Sequence, residues 1–544
     1  MEKVATLLAK HFKKWGISDV FGIPGKAVVP LILEITDQDI NFVTSKHECG
    51  AGYQAAGFAL LSQKIGVAVG TSGPGGTNLI TAAGQAKASH LPILIITGHP
   101  SIKDTGKALS QDATAFGTDI VEMFKPVTKF SARVERGDQV ESYFQHALEK
   151  ALTGSKGPVH LSIPADVLIE EVHPFEMDLP EPQHVISTRL EEVIELLNDA
   201  QKPVLFLGKG VHSSKAYEEV RQVAEYWDIP VMTTPGGKGS FISNHHLSLG
   251  AFGLGGRDEA HDYTEHGIDL MVVIGSKLSD MSLAGLQKNQ YPEKVIHFDY
   301  DQTFIGKSIN VPTLFISGDI KANLNIILEN INRRENQSSN YISAKHEKSM
   351  NEIGIENGIY MSSKSAIEIM NEVLPEDTII FGDDGSHTFY AIQSYDIKKP
   401  GTFFFDDVFG AMGHAIGYSI GAKLASPSKK IACLTGDGCL LMHGSEISTA
   451  VSSNSSVIFI VLNNSGLDMV DKGMKVNIGK SVGTTFDPPV DIYQYAQSMG
   501  ATAFKARTSN QLSDALHTAL VINETSVIEV IVDNNEIPPT MRRG

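Results

Sequence analysis

Short, nearly unbroken apolar runs recur along this chain and stop abruptly at glycines or polar residues. In the first third they are Val20-Phe21, Phe42-Val43-Thr44, Val67-Ala68-Val69 and Ile93 to Thr97. In the middle they are Val204 to Leu207, Leu270 to Ile274 and Val295 to Phe298. In the last third they are Ile379-Ile380-Phe381, Ile431 to Leu434, Val457 to Leu462 and Val527 to Val532. Each run is too short for a core helix and lacks the alternation of a half-exposed strand, so it reads as a strand buried on both faces. The intervening stretches are helix-compatible and rich in Ala and Gly, a βα alternation that predicts mainly parallel sheets. The expected fold class is therefore α/β, with three doubly wound, mainly parallel-sheet domains at 1–172, 186–332 and 360–544. The Pro- and acid-rich segment His173 to Gln183 and the polar segment Asn332 to Tyr341 read as the boundaries between them.

Length agrees with that division, because 544 residues exceed what one core organises. Composition changes the picture mainly by exclusion. A formal charge of −18 argues against a nucleic-acid or anionic-membrane surface. Cys49, Cys433 and Cys439 have neither metal-binding spacing nor a disulfide framework, which points to a reducing cytoplasm. Met1-Glu2-Lys3-Val4 opens into an amphipathic helical pattern, and no apolar run has the length of a membrane span.

Candidate chemistry concentrates where two of the strands end. Gly436-Asp437-Gly438 follows the run ending at Leu434, and Asn463-Asn464 follows the run ending at Leu462. A helix-compatible stretch, His443 to Val451, lies between. Parallel strands joined by a crossover put both loops at one carboxyl edge, where open α/β sheets bind ligands. Asp437, Asn464 and a backbone carbonyl just beyond then offer oxygen ligands to a hard cation such as Mg²⁺, with positions left for phosphate. The glycines allow close approach of the backbone to that phosphate. Asp299 ends a strand of the middle block, but without a Gly-x-Gly-x-x-Gly loop it reads as a solvated strand end rather than a ribose ligand.

Gly-Asp-Gly and Asn-Asn at this spacing resemble the thiamine-diphosphate signature. Thr71-Ser72-Gly73-Pro74-Gly75-Gly76-Thr77-Asn78 is similar to an active-site segment of acetolactate (acetohydroxyacid) synthases. Gly236-Gly237-Lys238-Gly239 and Leu247-Ser248-Leu249-Gly250 are similar to other segments of that family. The resemblance covers nearly the whole chain and implies pyrimidine-binding, central and diphosphate-binding domains, in that order. It implies thiamine diphosphate and Mg²⁺ as cofactors, with Asp437, Asn464 and the Gly466 carbonyl on the metal. Glu48 would be the carboxylate that hydrogen-bonds the aminopyrimidine and drives formation of the reactive thiazolium carbanion. Met412 would be the wedge that bends the cofactor, flanked by the Gly410 carbonyl and the Met412 amide, a proximity effect. Gly385, Ser386 and His387 would contact the diphosphate, together with Gly436, Gly438 and the amide of Cys439. Leu467 and Met469 would complete the pocket. The glutamate and diphosphate sites of this family come from different subunits, so a homodimer is the minimum assembly and a homotetramer is expected.

The implied reaction is decarboxylation of a small-molecule 2-oxo acid such as pyruvate, followed by joining to a second carbonyl. The electron sink belongs to the cofactor. Val470 stands where simple decarboxylases of the family carry a proton-donating glutamate, which favours carboligation, and Gln111 matches a pocket glutamine of the synthases. The alternatives are a non-oxidative decarboxylase, a C–C lyase or acyltransferase, or an inactive regulatory subunit. Three positions depart from the family. Asp471-Lys472-Gly473-Met474 replaces an expected tryptophan, and Lys277-Leu278-Ser279-Asp280 replaces a flavin-contacting stretch, so FAD is not supported and not excluded. Lys26 follows Gly22-Ile23-Pro24-Gly25 where relatives carry a small or acidic residue. A loop lysine is ordinarily solvated; facing inward, Lys26 would favour an anionic substrate.

Overall fold

The computed structural model describes residues 1–181, 184–332, 360–406 and 408–542. Pro182-Gln183 of the first expected boundary and residues 333–341 of the second lie outside them. The described residues form three six-stranded sheets and one short antiparallel pair, Glu2–Lys3 with Glu171–Val172. The N-terminal sheet contains β1 (Asp19–Gly22), β2 (Asn41–Thr44), β3 (Gly66–Gly70), β4 (Ile93–His99), β5 (Phe130–Arg133) and β6 (Val159–Pro164). The middle sheet contains β7 (Pro203–Leu207), β8 (Val231–Thr233), β9 (Ser248–Ala251), β10 (Leu270–Ile274), β11 (Lys294–Asp299) and β12 (Thr313–Ser317). The C-terminal sheet contains β13 (Ile379–Gly382), β14 (Phe403–Phe405), β15 (Ile431–Gly436), β16 (Val457–Asn463), β17 (Thr502–Ala506) and β18 (Ser526–Ile531). Every pairing within the three sheets is parallel.

Topology explains what the apolar runs could not. The N-terminal order is β2-β1-β3-β4-β6-β5, and the C-terminal order, β14-β13-β15-β16-β18-β17, is the same arrangement shifted by twelve strands. The middle order is β9-β8-β7-β10-β11-β12, the dinucleotide-fold arrangement. In each sheet two adjacent strands send their following connections in opposite directions, which opens a crevice at the carboxyl edge. The pairs are β1 and β3, β7 and β10, and β13 and β15. Helices cover both faces, so all six residues of β15 and all seven of β16 are buried, and their sequences run apolar without alternation.

The N- and C-terminal sheets share one continuous core. Phe21 and Phe58 pack in the same cluster as Phe381 and Phe459. Its centre is the crossing of α1 (Glu48–Ser62) and α2 (His414–Ala425), two helices rich in small residues. A Cβ at Gly57 would lie 2.1 Å from the Tyr418 carbonyl oxygen, and one at Gly421 only 1.8 Å from that of Gln54. Larger residues at either position would force the two domains apart. The middle domain keeps its own core around Leu207, Trp227 and Phe298. No helix among the described residues is long and apolar enough to cross a membrane.

Candidate active site

The crevice between β13 and β15 is built from the strand ends themselves. Strand β15 runs directly into α3 (Asp437–His443), followed by a 3-10 turn at Gly444–Glu446 and a helix at Ile447–Ser452. The helical segment thus begins six residues before the His443 expected from the apolar pattern. Asp437 is its first residue, where the helix N-terminus favours a carboxylate. Its Oδ1 accepts from the Gly438 amide (2.9 Å), and its Oδ2 accepts from the Gly466 amide (2.9 Å). Burial pushes its carboxyl up to about 7, against the pull of those amides.

At the end of β16 the two asparagines divide their work. Asn463 turns inward, donating to Glu529 Oε1 (2.7 Å) and accepting from the Ser465 amide (3.0 Å). Asn464 lines the cavity. Gly385, Ser386, His387, Gly410, Met412, Gly436, Asp437, Gly438, Cys439, Asn464, Gly466, Leu467, Met469 and Val470 all line this one cavity of about 230 Å³. A Cβ at Gly438 would lie 2.6 Å from Leu467 Cδ2 and 3.4 Å from Met412 Cε, so a larger residue there would have to displace the Leu467 side chain. Val470 is 50% exposed on α4 (Asp468–Ile478).

Two polar side chains in this cavity are unsatisfied. Ser386 Oγ and His387 Nε2 are buried without a hydrogen-bond partner, at the start of the Ser386–Ser394 helix. Burial pushes His387 down to about 4, leaving a neutral imidazole. A serine hydroxyl at a helix N-terminus, and an imidazole in its Nε2–H tautomer, suit the oxygens of an anion such as a diphosphate. Beside them, Asp437 and Asn464 line the same cavity and can offer carboxylate and amide oxygens, ligand types that suit Mg²⁺.

Sequence reasoning missed the brace beside Met412. Asp383, fully buried, accepts from the Gly413 amide (2.8 Å) and from Thr435 Oγ1 (2.9 Å). His414 Nδ1 lies 3.3 Å from Asp383 Oδ1 and 3.4 Å from Asp384 Oδ2. Burial alone would lower the His414 pKa, but these carboxylates hold it raised. The cluster ties the 410–413 turn to the end of β15.

Glu48, Gln111 and Lys26 do not line this cavity; they stand at the carboxyl edge of the N-terminal sheet. Glu48 is the first residue of α1, 9% exposed, and its Oε2 accepts from Asn78 Nδ2 (2.9 Å). The segment before it is held from the C-terminal domain. Glu446 Oε1 accepts from the amides of Lys46 (3.0 Å) and His47 (2.8 Å), while its Oε2 accepts from Gln54 Nε2 (2.9 Å) and Thr449 Oγ1 (2.7 Å). The only sequence signal for Glu446 was an acid set among small and apolar residues. Gln111 is exposed with φ +52°, and its carbonyl accepts from Ser72 Oγ (2.6 Å). Lys26 is exposed.

A second cleft, about 290 Å³, opens at the β7/β10 crevice, lined by Lys209, Ser276, Lys277 and Asp299 among others. Asp299 is therefore not a solvated strand end. It is half-buried, burial pushes its carboxyl pKa up, and its Oδ1 accepts from the Asp301 amide (3.0 Å).

Comparison with known proteins matches each sheet in turn. Residues 2–123 match the family described as thiamine pyrophosphate enzyme, N-terminal TPP binding domain. Residues 190–327 match its central domain and residues 383–530 its C-terminal TPP binding domain. A probable acetolactate synthase large subunit of Methanocaldococcus jannaschii is 30% identical over 563 aligned residues, covering 100% of this chain and 94% of the relative. The acetolactate synthase large subunit of Corynebacterium glutamicum is 30% identical, covering 99% and 88% respectively. That of Lactococcus lactis is 28% identical, covering 97% and 92%.

Proposed function

Because the chain belongs to the thiamine pyrophosphate enzyme family, among relatives of acetolactate synthase large subunits, we propose that it is a Mg²⁺-dependent 2-oxo-acid carboligase acting on pyruvate or a related 2-oxo acid. The observation that carries this reading is the one cavity at the β13/β15 crevice, lined together by Asp437, Asn464 and Gly466, by the buried Ser386 and His387, and by the apolar Met412, Leu467 and Val470. Thiamine diphosphate, when bound, supplies the electron sink for decarboxylation. Ser386 and His387 would hold its diphosphate, and Asp437, Asn464 and the Gly466 carbonyl the Mg²⁺. Met412 would support its bend, with the Gly410 carbonyl on the pyrimidine edge.

Glu48 would exchange a proton with the aminopyrimidine ring through Oε1, the oxygen that Asn78 leaves free. That Glu48 does not line its own chain's cavity supports a homodimer with composite sites, and a homotetramer as a pair of these. Val470 brings no proton to the reacting carbon, which supports joining to a second carbonyl over release of an aldehyde. The domain division at 1–172, 186–332 and 360–544 and a cytoplasmic setting belong to the same proposal; FAD does not.

Proton NMR of purified protein with thiamine diphosphate, Mg²⁺ and pyruvate tests it against a cofactor-free control. Acetolactate or acetoin is expected. Acetaldehyde alone would replace carboligation with simple decarboxylation, and Glu48→Gln should keep cofactor binding while abolishing turnover.

A further inference from the structure

The N-terminal sheet has the same strand order as the C-terminal sheet, so it has the same kind of crevice, between β1 and β3. The loop leaving β1 carries Lys26, and the loop leaving β3 is Thr71 to Asn78. Strand β1 lies between β2, whose following loop leads to Glu48, and β3. Asn78 bridges the outer two loops by donating to Glu48. Lys26 is thus placed at the crevice position of the edge that bears Glu48. Its backbone is fixed there, because a Cβ at Gly25 would lie 2.4 Å from Thr71 Cβ. The same β3 loop holds Gln111 through Ser72.

Lys26 makes no hydrogen bond or ion pair among the described residues and is not the only cation present. Lys103 and Lys107 stand on the loop leaving β4, the next strand across. Asp104 sits in the electrostatic field of Lys107, Lys103 and Lys26, and Lys107 Nζ donates to its Oδ1 (2.6 Å). Lys26, Lys103 and Lys107 outnumber Asp104, and of the other acids on these edge loops Asp166 turns its Oδ1 to the Ile102 amide (3.1 Å). Asp112, beside Gln111, turns its Oδ1 to the Thr114 amide (2.9 Å).

We propose that this crevice is an anion subsite, in which Lys26, backed by Lys103 and Lys107, selects a 2-oxo acid bearing a second anionic group remote from its keto acid. The proposal rests on the 2-oxo-acid reading above. A monocarboxylic 2-oxo acid spends its one charge next to the reacting carbon and leaves Lys26 unpaired. A dianion gives the lysine a partner through a charge-assisted hydrogen bond. Carboxylate and phosphonate share this chemistry, and the choice of probe separates them.

Binding to the thiamine-diphosphate- and Mg²⁺-loaded enzyme is measured by calorimetry with 2-oxoglutarate, 3-phosphonopyruvate and their singly charged counterparts 2-oxohexanoate and pyruvate. CO₂ release is followed in parallel. At least one dianion should bind ten-fold or more tighter than its counterpart. Lys26→Met should bring that ratio close to one, and Lys26→Arg should restore it. The tighter probe identifies the anionic group. Equal binding of dianions and monoanions, or a ratio unmoved by Lys26→Met, overturns the proposal. Pyruvate turnover without dianion preference overturns the subsite and leaves the carboligase reading standing. Lys26-dependent dianion binding without CO₂ release from any probe supports the subsite and overturns that reading.

Discussion

Replacing Glu446 by alanine should cost the protein both stability and activity, although Glu446 touches neither cavity nor Glu48. Its carboxylate is 0% exposed and accepts four hydrogen bonds, two from the buried Gln54 and Thr449 side chains and two from the part-buried Lys46 and His47 amides. Two of the donors are backbone amides immediately before α1. Truncation leaves all four unsatisfied, at about 1–3 kcal/mol each if nothing relaxes. Water entering the vacated space and reaching the Lys46 and His47 amides recovers part of that, so a net loss of roughly 2–4 kcal/mol is expected. Glu446→Gln keeps an acceptor for the two amides, and the Thr449 hydroxyl can reverse. Only the Gln54 contact then becomes donor against donor, for about 1–2 kcal/mol. The ordering wild type, Gln, Ala should appear in thermal midpoints measured without cofactor. It should reappear in kcat, because the Lys46 and His47 amides position the start of α1, where Glu48 stands. An alanine variant that melts and turns over like wild type would refute the argument.

Other outcomes follow from single contacts. Asn78→Ala removes a hydrogen bond to a charged group worth about 1.5–3 kcal/mol, so kcat should fall roughly 10–100-fold with little change in the KM for thiamine diphosphate. Val470→Glu brings a proton donor to the cavity wall and should shift NMR-detected products from hydroxyketone or hydroxy acid toward aldehyde. His212 is buried and pushed down to about 4 by burial, with its two nitrogens engaged by Tyr217 and the Lys238 carbonyl. An unfolded imidazole titrates near 6.5, so the native state lacks a proton between those values. The stability held above pH 6.5 is therefore lost as pH falls toward 4, by roughly 3 kcal/mol at most. Thermal midpoints of His212→Asn should fall less steeply than wild type over that range.

Much of this protein was legible in its linear order because parallel strands covered on both faces must be apolar throughout. Ile431–Leu434 and Val457–Leu462 therefore announced themselves, and the Gly-Asp-Gly and Asn-Asn that end them had to share one sheet edge. Most of the residues that line the β13/β15 cavity lie on loops leaving strands or at the helix starts that follow. What the linear order left open depended on which strands are neighbours. The matching orders of the two outer sheets, and hence the crevice at Lys26, arise from hydrogen-bond pairings that no local pattern encodes. Likewise Glu446 and Lys46 are separated by 400 residues and meet only because small residues let α1 and α2 cross in close contact. Periodicity fixes which face of an element is buried. Only packing decides what that face is buried against, and so which polar groups, Asn78 on Glu48 or Asp383 on His414, find each other inside.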